Sequence, residues 1–132
     1  MDRTLKITAA ILAIVIVASI AILYAGVPSQ KVAQGKLPPI YYFYGKECPH
    51  CAKIEPFITN MTAKYPDAGI QVLEVWHNQT NQQIYDAANS AAGISSPPGV
   101  PEVVIGKTVL VGEVDIPAKF EGLIQDYLKK KQ

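Results

Sequence analysis

Ile40-Tyr41-Tyr42-Phe43-Tyr44-Gly45-Lys46-Glu47-Cys48-Pro49-His50-Cys51 is the stretch on which the reading of the whole chain turns. Its first five residues are β-branched or aromatic and favour a strand, and Gly45 ends the run. Pro49 suits the first position of a helix. Cys48 and Cys51, the two cysteines of the chain, therefore fall at a helix start. A helix N-terminus offers unpaired backbone N–H groups and roughly half a positive charge, which favours S⁻ over S–H. In such settings a cysteine pKa falls from about 8.5 to about 3.5–7.5. Two thiols separated by two residues can close into a disulfide there and reopen.

Beyond the cysteines, Ile54, Phe57, Ile58 and Met61 recur at helical spacing, and the helix should close near Tyr65-Pro66. Ile70 to Trp76 reads as a second strand. Asn81 to Ala92 reads as a helix with Ile84, Ala88 and Ala91 inward, stopped by Gly93. Glu102 to Ile105 and Thr108 to Val111 form two strands joined at Gly106-Lys107, a hairpin turn. A last helix is expected after Asp115 as N-cap, with Pro117 in its first turn. Its inward face is Phe120, Leu123, Ile124, Tyr127 and Leu128. This order predicts an α/β domain with a mixed four-stranded sheet and helices on both faces. The first crossover should be parallel and right-handed, and the hairpin antiparallel.

Upstream the composition changes. Ile7 to Ala25 is almost unbroken Ile, Val, Leu and Ala without a charge. At 1.5 Å per residue it is about 28 Å long, close to the hydrocarbon thickness of a bilayer. We expect residues 1–6 to flank one N-terminal transmembrane helix at 7–26, residues 27–39 to be a Pro- and Gly-containing linker, and residues 40–132 to be the folded domain. The apolar stretch exceeds the 7–15 residues usual for a signal core, so a retained anchor is favoured over a cleaved signal. Arg3 and Lys6 on one side against Lys31 and Lys36 on the other favour a cytoplasmic N-terminus only weakly. Paired cysteines suit an oxidising compartment. The expected location is thus the cell membrane, with a single span and the domain outside the cytoplasm.

From Pro38 onward there are eight lysines, no arginine and ten acidic residues, a net charge near −2. That balance argues against nucleic acid, which needs a basic face. Lys129-Lys130-Lys131 suits a helix C-terminus. No metal is expected: with Cys48, Cys51, His50 and His77 as donors, His50 lies between the cysteines and cannot easily join them on one ion. Haem attachment needs His after the second Cys, and Ala52 stands there. No cofactor is implied, since the thiols carry the electrons. A four-residue loop gains little from closure, so a purely structural disulfide is a weak reading. Asn60-Met61-Thr62 and Asn78-Gln79-Thr80 fit the glycosylation triplet, Asn78 being the better placed.

With Cys48-Pro49-His50-Cys51 after the first strand, Pro56 five residues beyond, and Gly99-Val100-Pro101 before the hairpin, the chain resembles the thioredoxin superfamily over Ile40 to Leu128. The Cys-Pro-His-Cys sequence is similar to that of DsbA-type oxidases, without their helical insertion. The closer likeness is to small membrane-tethered thioredoxin or glutaredoxin-like proteins. The resemblance implies a thioredoxin-like fold, a kink at Pro56, a cis Pro101 facing the cysteines, and a Val100 backbone free to pair with an extended substrate.

Cys48 is expected to be the exposed nucleophile and Cys51 the buried resolving thiol, with Pro49 stiffening the first turn. His50 is expected to stabilise the Cys48 thiolate. Where the family often has Trp before the first Cys and an acid six residues earlier, this chain has Glu47 and Tyr42. The proton acceptor for Cys51 is then open between Glu74 and Glu55 acting through water. Trp76, Tyr41 and Tyr44 are expected in the core, and His77 in a loop. The expected function is thiol–disulfide exchange with extracytoplasmic proteins, in the oxidase direction. The alternatives are a reductase in cytochrome maturation or an electron relay to a membrane partner, a tethered peptide-binding module, and a metal-binding module.

Overall fold

The structure, a computed structural model, describes residues 37–132. The expected anchor at residues 7–26 lies outside the described residues. No helix among the described residues is long and apolar enough to cross a membrane.

Strand β1 (Ile40–Tyr44) leads into helix α1 (Pro49–Lys64). A short 3-10 turn, Pro66–Ala68, precedes β2 (Gln71–Glu74) and α2 (Gln79–Ala92). The hairpin β3 (Glu102–Ile105) and β4 (Thr108–Val111) is followed directly by α3 (Gly112–Lys131). The sheet order is β2-β1-β3-β4. β1 runs parallel to β2, with Tyr42 opposite Val72, and antiparallel to β3, with Tyr42 opposite Val103. β3 and β4 are antiparallel. This is the thioredoxin-like α/β arrangement.

Alternation along β1 divides the core. Ile40 and Tyr42 pack with Ile54, Ile58 and Met61 of α1 and with Ile116, Phe120 and Ile124 of α3. Phe43, on the opposite face of the pleat, packs with Val75, Val104 and Tyr85 of α2. Helices α1 and α3 therefore share one face of the sheet and α2 covers the other. Phe43 and Phe120 are fully buried, each contributing about 1.5–3 kcal/mol of apolar burial.

Three expectations need correction. Helix α3 begins at Gly112, so Asp115 lies inside its first turn; the N-cap residue is Val111, with no side-chain cap. Gly112 adopts φ +87°, which turns the chain out of β4 at once, and its N–H donates to the Pro101 carbonyl at 2.9 Å. The buried residues of α2 are Tyr85 and Asn89, whereas Ala91 is exposed and Ile84 and Ala88 are half-buried. A polar Asn lines the core face here because its Nδ2 donates to buried acceptors, the Glu102 carboxylate and the Tyr85 carbonyl. Strand β2 is shorter than the apolar run around it, and Trp76 is 51% exposed rather than in the core. Asn78, moreover, caps α2: its Oδ1 accepts the Asn81 N–H at 3.0 Å.

Candidate active site

Cys48 is the N-cap of α1, with Pro49 at the first helical position. The Cys48 N–H donates to the Gly45 carbonyl at 3.1 Å, closing the loop out of β1. Its Sγ accepts the Cys51 N–H at 3.2 Å, so the sulfur occupies the place that a capping hydroxyl usually fills. The same thiol points to the Val100 carbonyl, 3.8 Å away. Pro101, which follows, is buried and its peptide bond with Val100 is cis. Both cysteines are free thiols.

The expectation of an exposed first cysteine is corrected: Cys48 and Cys51 are each 4% exposed. Capping its own helix folds the Cys48 side chain inward, under the Val100 segment. The two thiols still differ in surroundings. Burial, followed by the hydrogen bond with Cys48, raises the pKa of Cys51 well above the ordinary thiol range.

His50 does not reach the Cys48 sulfur. Its Nδ1 lies 2.9 Å from Glu113 Oε2, and Lys53 Nζ lies 3.0 Å from the other carboxylate oxygen. Hydrogen bonds first from His50 and then from Lys53 hold Glu113 below the usual carboxylate range. The first turn of α3 supplies Glu113 because the helix starts early. No local sequence signal links His50 to a residue 63 positions away.

Glu74 is also removed from the proton-transfer role considered for it. Its carboxylate accepts the backbone N–H groups of Trp76 at 2.8 Å, His77 at 3.0 Å and Lys46 at 3.4 Å. Desolvation pushes its pKa up, but these three donors outweigh it and hold the group low. Glu74 thus braces the loop between β2 and α2 against the motif loop. Glu55 is better placed: it lines, together with Cys51, Tyr42, Tyr44 and Thr59, a cavity of about 350 Å³. Burial, then the charges of Cys51 and Cys48, raise the Tyr42 phenol far above its usual range. Tyr42 is therefore a neutral phenol at the position where an acid was sought.

Two further pairs flank the motif loop. Glu47 Oε2 lies 2.7 Å from His77 Nε2, and this hydrogen bond, then the carboxylate charge, raise the His77 pKa. The Trp76 indole covers Gly45 so closely that a Cβ there would overlap the ring. Sequence reasoning also passed over Glu102, which is fully buried on β3. A carboxylate adjoining Val103-Val104-Ile105 was the available signal.

No family model matches the chain, and no curated protein matches it. Among solved structures, the holo form of glutaredoxin C1 from Populus tremula x tremuloides is 21% identical, with 71% of this chain and 82% of that chain covered and a TM-score of 0.45. A buckwheat glutaredoxin–glutathione complex is 20% identical over 70% of this chain and 77% of that chain, with a TM-score of 0.44. Oxidised thioredoxin O2 from Arabidopsis thaliana is 26% identical over 70% of this chain and 76% of that chain, with a TM-score of 0.44.

Proposed function

We propose that this chain is a thiol–disulfide oxidoreductase that cycles Cys48 and Cys51 between dithiol and disulfide. The observation that carries the reading is the Cys48 sulfur at a helix N-cap, 3.2 Å from the Cys51 N–H, with the second thiol one turn behind it. An N–H donor at the sulfur favours the thiolate as nucleophile and as leaving group. In the reducing direction the Cys48 thiolate attacks a partner disulfide and releases one partner thiolate. Cys51 loses its proton and attacks the Cys48 sulfur. The second partner thiolate leaves, and a Cys48–Cys51 disulfide remains, two electrons having passed to the partner. Disulfide donation is the same sequence reversed.

Cys51 needs a base at the resolving step, since burial favours its protonated form. Glu55 supports that role, because it lines the same cavity and a space of that size holds several waters. Partners are protein thiols and disulfides, docking as an extended segment along Val100. We further propose that residues 7–26 anchor the chain in the cell membrane, with the domain on the extracytoplasmic side, where a membrane electron-transfer protein would recharge it.

The oxidase direction rests on Pro49-His50. The His50–Glu113 pair favours a second reading, a reductase, because the imidazole Nδ1 is engaged by a carboxylate and not by the sulfur. Reduction potential separates the two. The full chain in detergent, equilibrated against glutathione, should give about −120 mV for a disulfide donor and about −270 mV for a reductase. Cys48→Ser should abolish exchange with a disulfide-bonded protein substrate. Retained exchange by that variant would refute the oxidoreductase reading.

A further inference from the structure

Glu102 is fully buried, and the exchange chemistry gives it no task. Its side chain alternates with Val103 and so projects with Val104 toward α2, on the face of the sheet opposite Cys51. Asn89 Nδ2 donates to Glu102 Oε1 at 2.7 Å and to the Tyr85 carbonyl at 3.1 Å. The Tyr85 hydroxyl donates to Glu102 Oε2 at 3.4 Å. That same phenol oxygen accepts the Gly99 N–H at 3.1 Å. The next residue, Val100, turns its carbonyl to the Cys48 thiol. A continuous path of hydrogen bonds and one peptide unit thus joins a buried carboxyl on one face of the sheet to the sulfur on the other.

We propose that Glu102 is a positioning residue for Cys48: through Tyr85 and Gly99 it fixes the Val100 carbonyl against the thiol, so that the charge on Glu102 governs how fast Cys48 reacts. The inference rests on the reading of Cys48 as the nucleophile. An ionised Glu102 polarises the Tyr85 hydroxyl and makes its oxygen a stronger acceptor for Gly99. The Val100 carbonyl is then held close to Sγ, where it accepts from S–H and opposes S⁻. A protonated Glu102 releases this hold. Asn89 Oδ1 offers the alternative arrangement: it is buried without a partner, and a turned amide would accept the carboxylic proton where Nδ2 now donates.

Few other charges act on Glu102. Its register partners are Phe43 of β1 and Val111 of β4, both apolar. From α2, Tyr85 is the titratable group that touches it, and the exposed Asp86 acts on Tyr85. Burial pushes the Glu102 carboxyl up to about 7, against the hydrogen bonds from Asn89 and Tyr85. The switch therefore falls in a working pH range.

The test is the alkylation rate of Cys48 by iodoacetamide between pH 5 and 8.5, in the full chain carrying Cys51→Ser, with and without Glu102→Gln. The ratio of the Glu102→Gln rate to the parent rate should rise from about one at pH 5 to about threefold to tenfold at pH 8.5, turning near pH 7. In a Tyr85→Phe background the ratio should stay flat. A ratio of one throughout overturns the proposal, as does a pH-dependent ratio that survives Tyr85→Phe. Should Glu102→Gln not fold, Tyr85→Phe alone decides: it must remove the inflection near pH 7 from the parent profile, and an unchanged profile overturns the relay. Alkylation needs no turnover, so this outcome stands apart from that of the exchange assay on Cys48→Ser.

Discussion

His50 Nδ1 lies 2.9 Å from Glu113 Oε2, so the imidazole between the two cysteines is bound to the first turn of α3. The pair sets a negative charge near the helix start that would otherwise host a thiolate. Glu113→Ala removes that charge and frees His50, and both changes favour the thiolate. The reduced form gains, and the reduction potential should rise. Because the pair is exposed, solvent weakens the effect, and an increase of roughly 10–20 mV is expected. Glutathione equilibration of parent and variant measures it; an unchanged or lower potential would show that Glu113 has no hold on the site.

Cys51 is kept protonated by its burial, whereas Cys48 caps the helix. Compared as single-thiol proteins at pH 7, Cys48 in Cys51→Ser should alkylate at least about tenfold faster than Cys51 in Cys48→Ser. Serine at position 48 retains a capping oxygen for the Cys51 N–H, so Cys48→Ser should lose exchange without losing its fold, as far-UV circular dichroism would report. Equal alkylation rates would remove the distinction between attacking and resolving thiols.

The legible part of this molecule was the part with local period. α1 was readable to its ends, because Pro49 opens it and Tyr65-Pro66 follows it. The hairpin was readable because Gly106, at φ +60°, is a turn residue between two β-branched runs. Both cysteines were found by spacing. What stayed hidden was decided by contacts distant in sequence. Asp115 looked like a cap, yet the tie from the Gly112 N–H to the Pro101 carbonyl accompanies a start four residues earlier, with Val111 as the N-cap. That early turn delivers Glu113 to His50. Asn89 was not among the inward residues read from the period, because its burial depends on the acceptor that Glu102 supplies from β3. Glu74 was one of several free carboxylates in the sequence, and only three backbone donors reveal it as a brace.

The His77–Glu47 pair should be visible by titration. The hydrogen bond to Glu47 raises His77 above its ordinary 6.5. A raised histidine contributes stability that is fully present below the unfolded value and is lost as pH rises through the folded one. Both side chains are well exposed, so the contribution is small and the titration itself is the better readout. Proton NMR of the imidazole should give a midpoint above 6.5 that Glu47→Gln returns toward 6.5. An identical midpoint in parent and variant would mean that the pair is not held in solution.

Glu102 should imprint its own slope on stability. Its carboxyl rises from 4.5 to about 7 in the folded protein, mainly through burial. Between those values the native state binds a proton that the unfolded state has released. Stability is therefore fully present below about 4.5 and falls as pH rises to about 7, a loss of about 3 kcal/mol. Glu102→Gln carries no titrating proton and should remove most of that slope. Urea unfolding of both proteins at pH 4.5 and 8 checks this; equal slopes would place the carboxyl in water rather than in the core.

Gly45→Ala tests the seam between the two loops that flank the cysteines. Gly45 is buried and its φ is not in the left-handed region, so alanine meets no backbone penalty there. The obstacle is the Trp76 indole, which occupies the space of the added methyl. Trp76 follows Glu74 and Val75, whose contacts tie it down: Glu74 accepts the Trp76 N–H, and the Val75 N–H donates to the Tyr44 carbonyl at 2.9 Å. The backbone cannot follow the ring outward without breaking those bonds, so the side chain must rotate into solvent. Overpacking of this kind costs about 1–3 kcal/mol, and the single tryptophan reports it directly through a red-shifted emission. The second change Trp76→Ala should relieve most of the cost, since the methyl then meets space. A Gly45→Ala protein with parental emission and parental stability would mean that the indole does not rest on Gly45 at all.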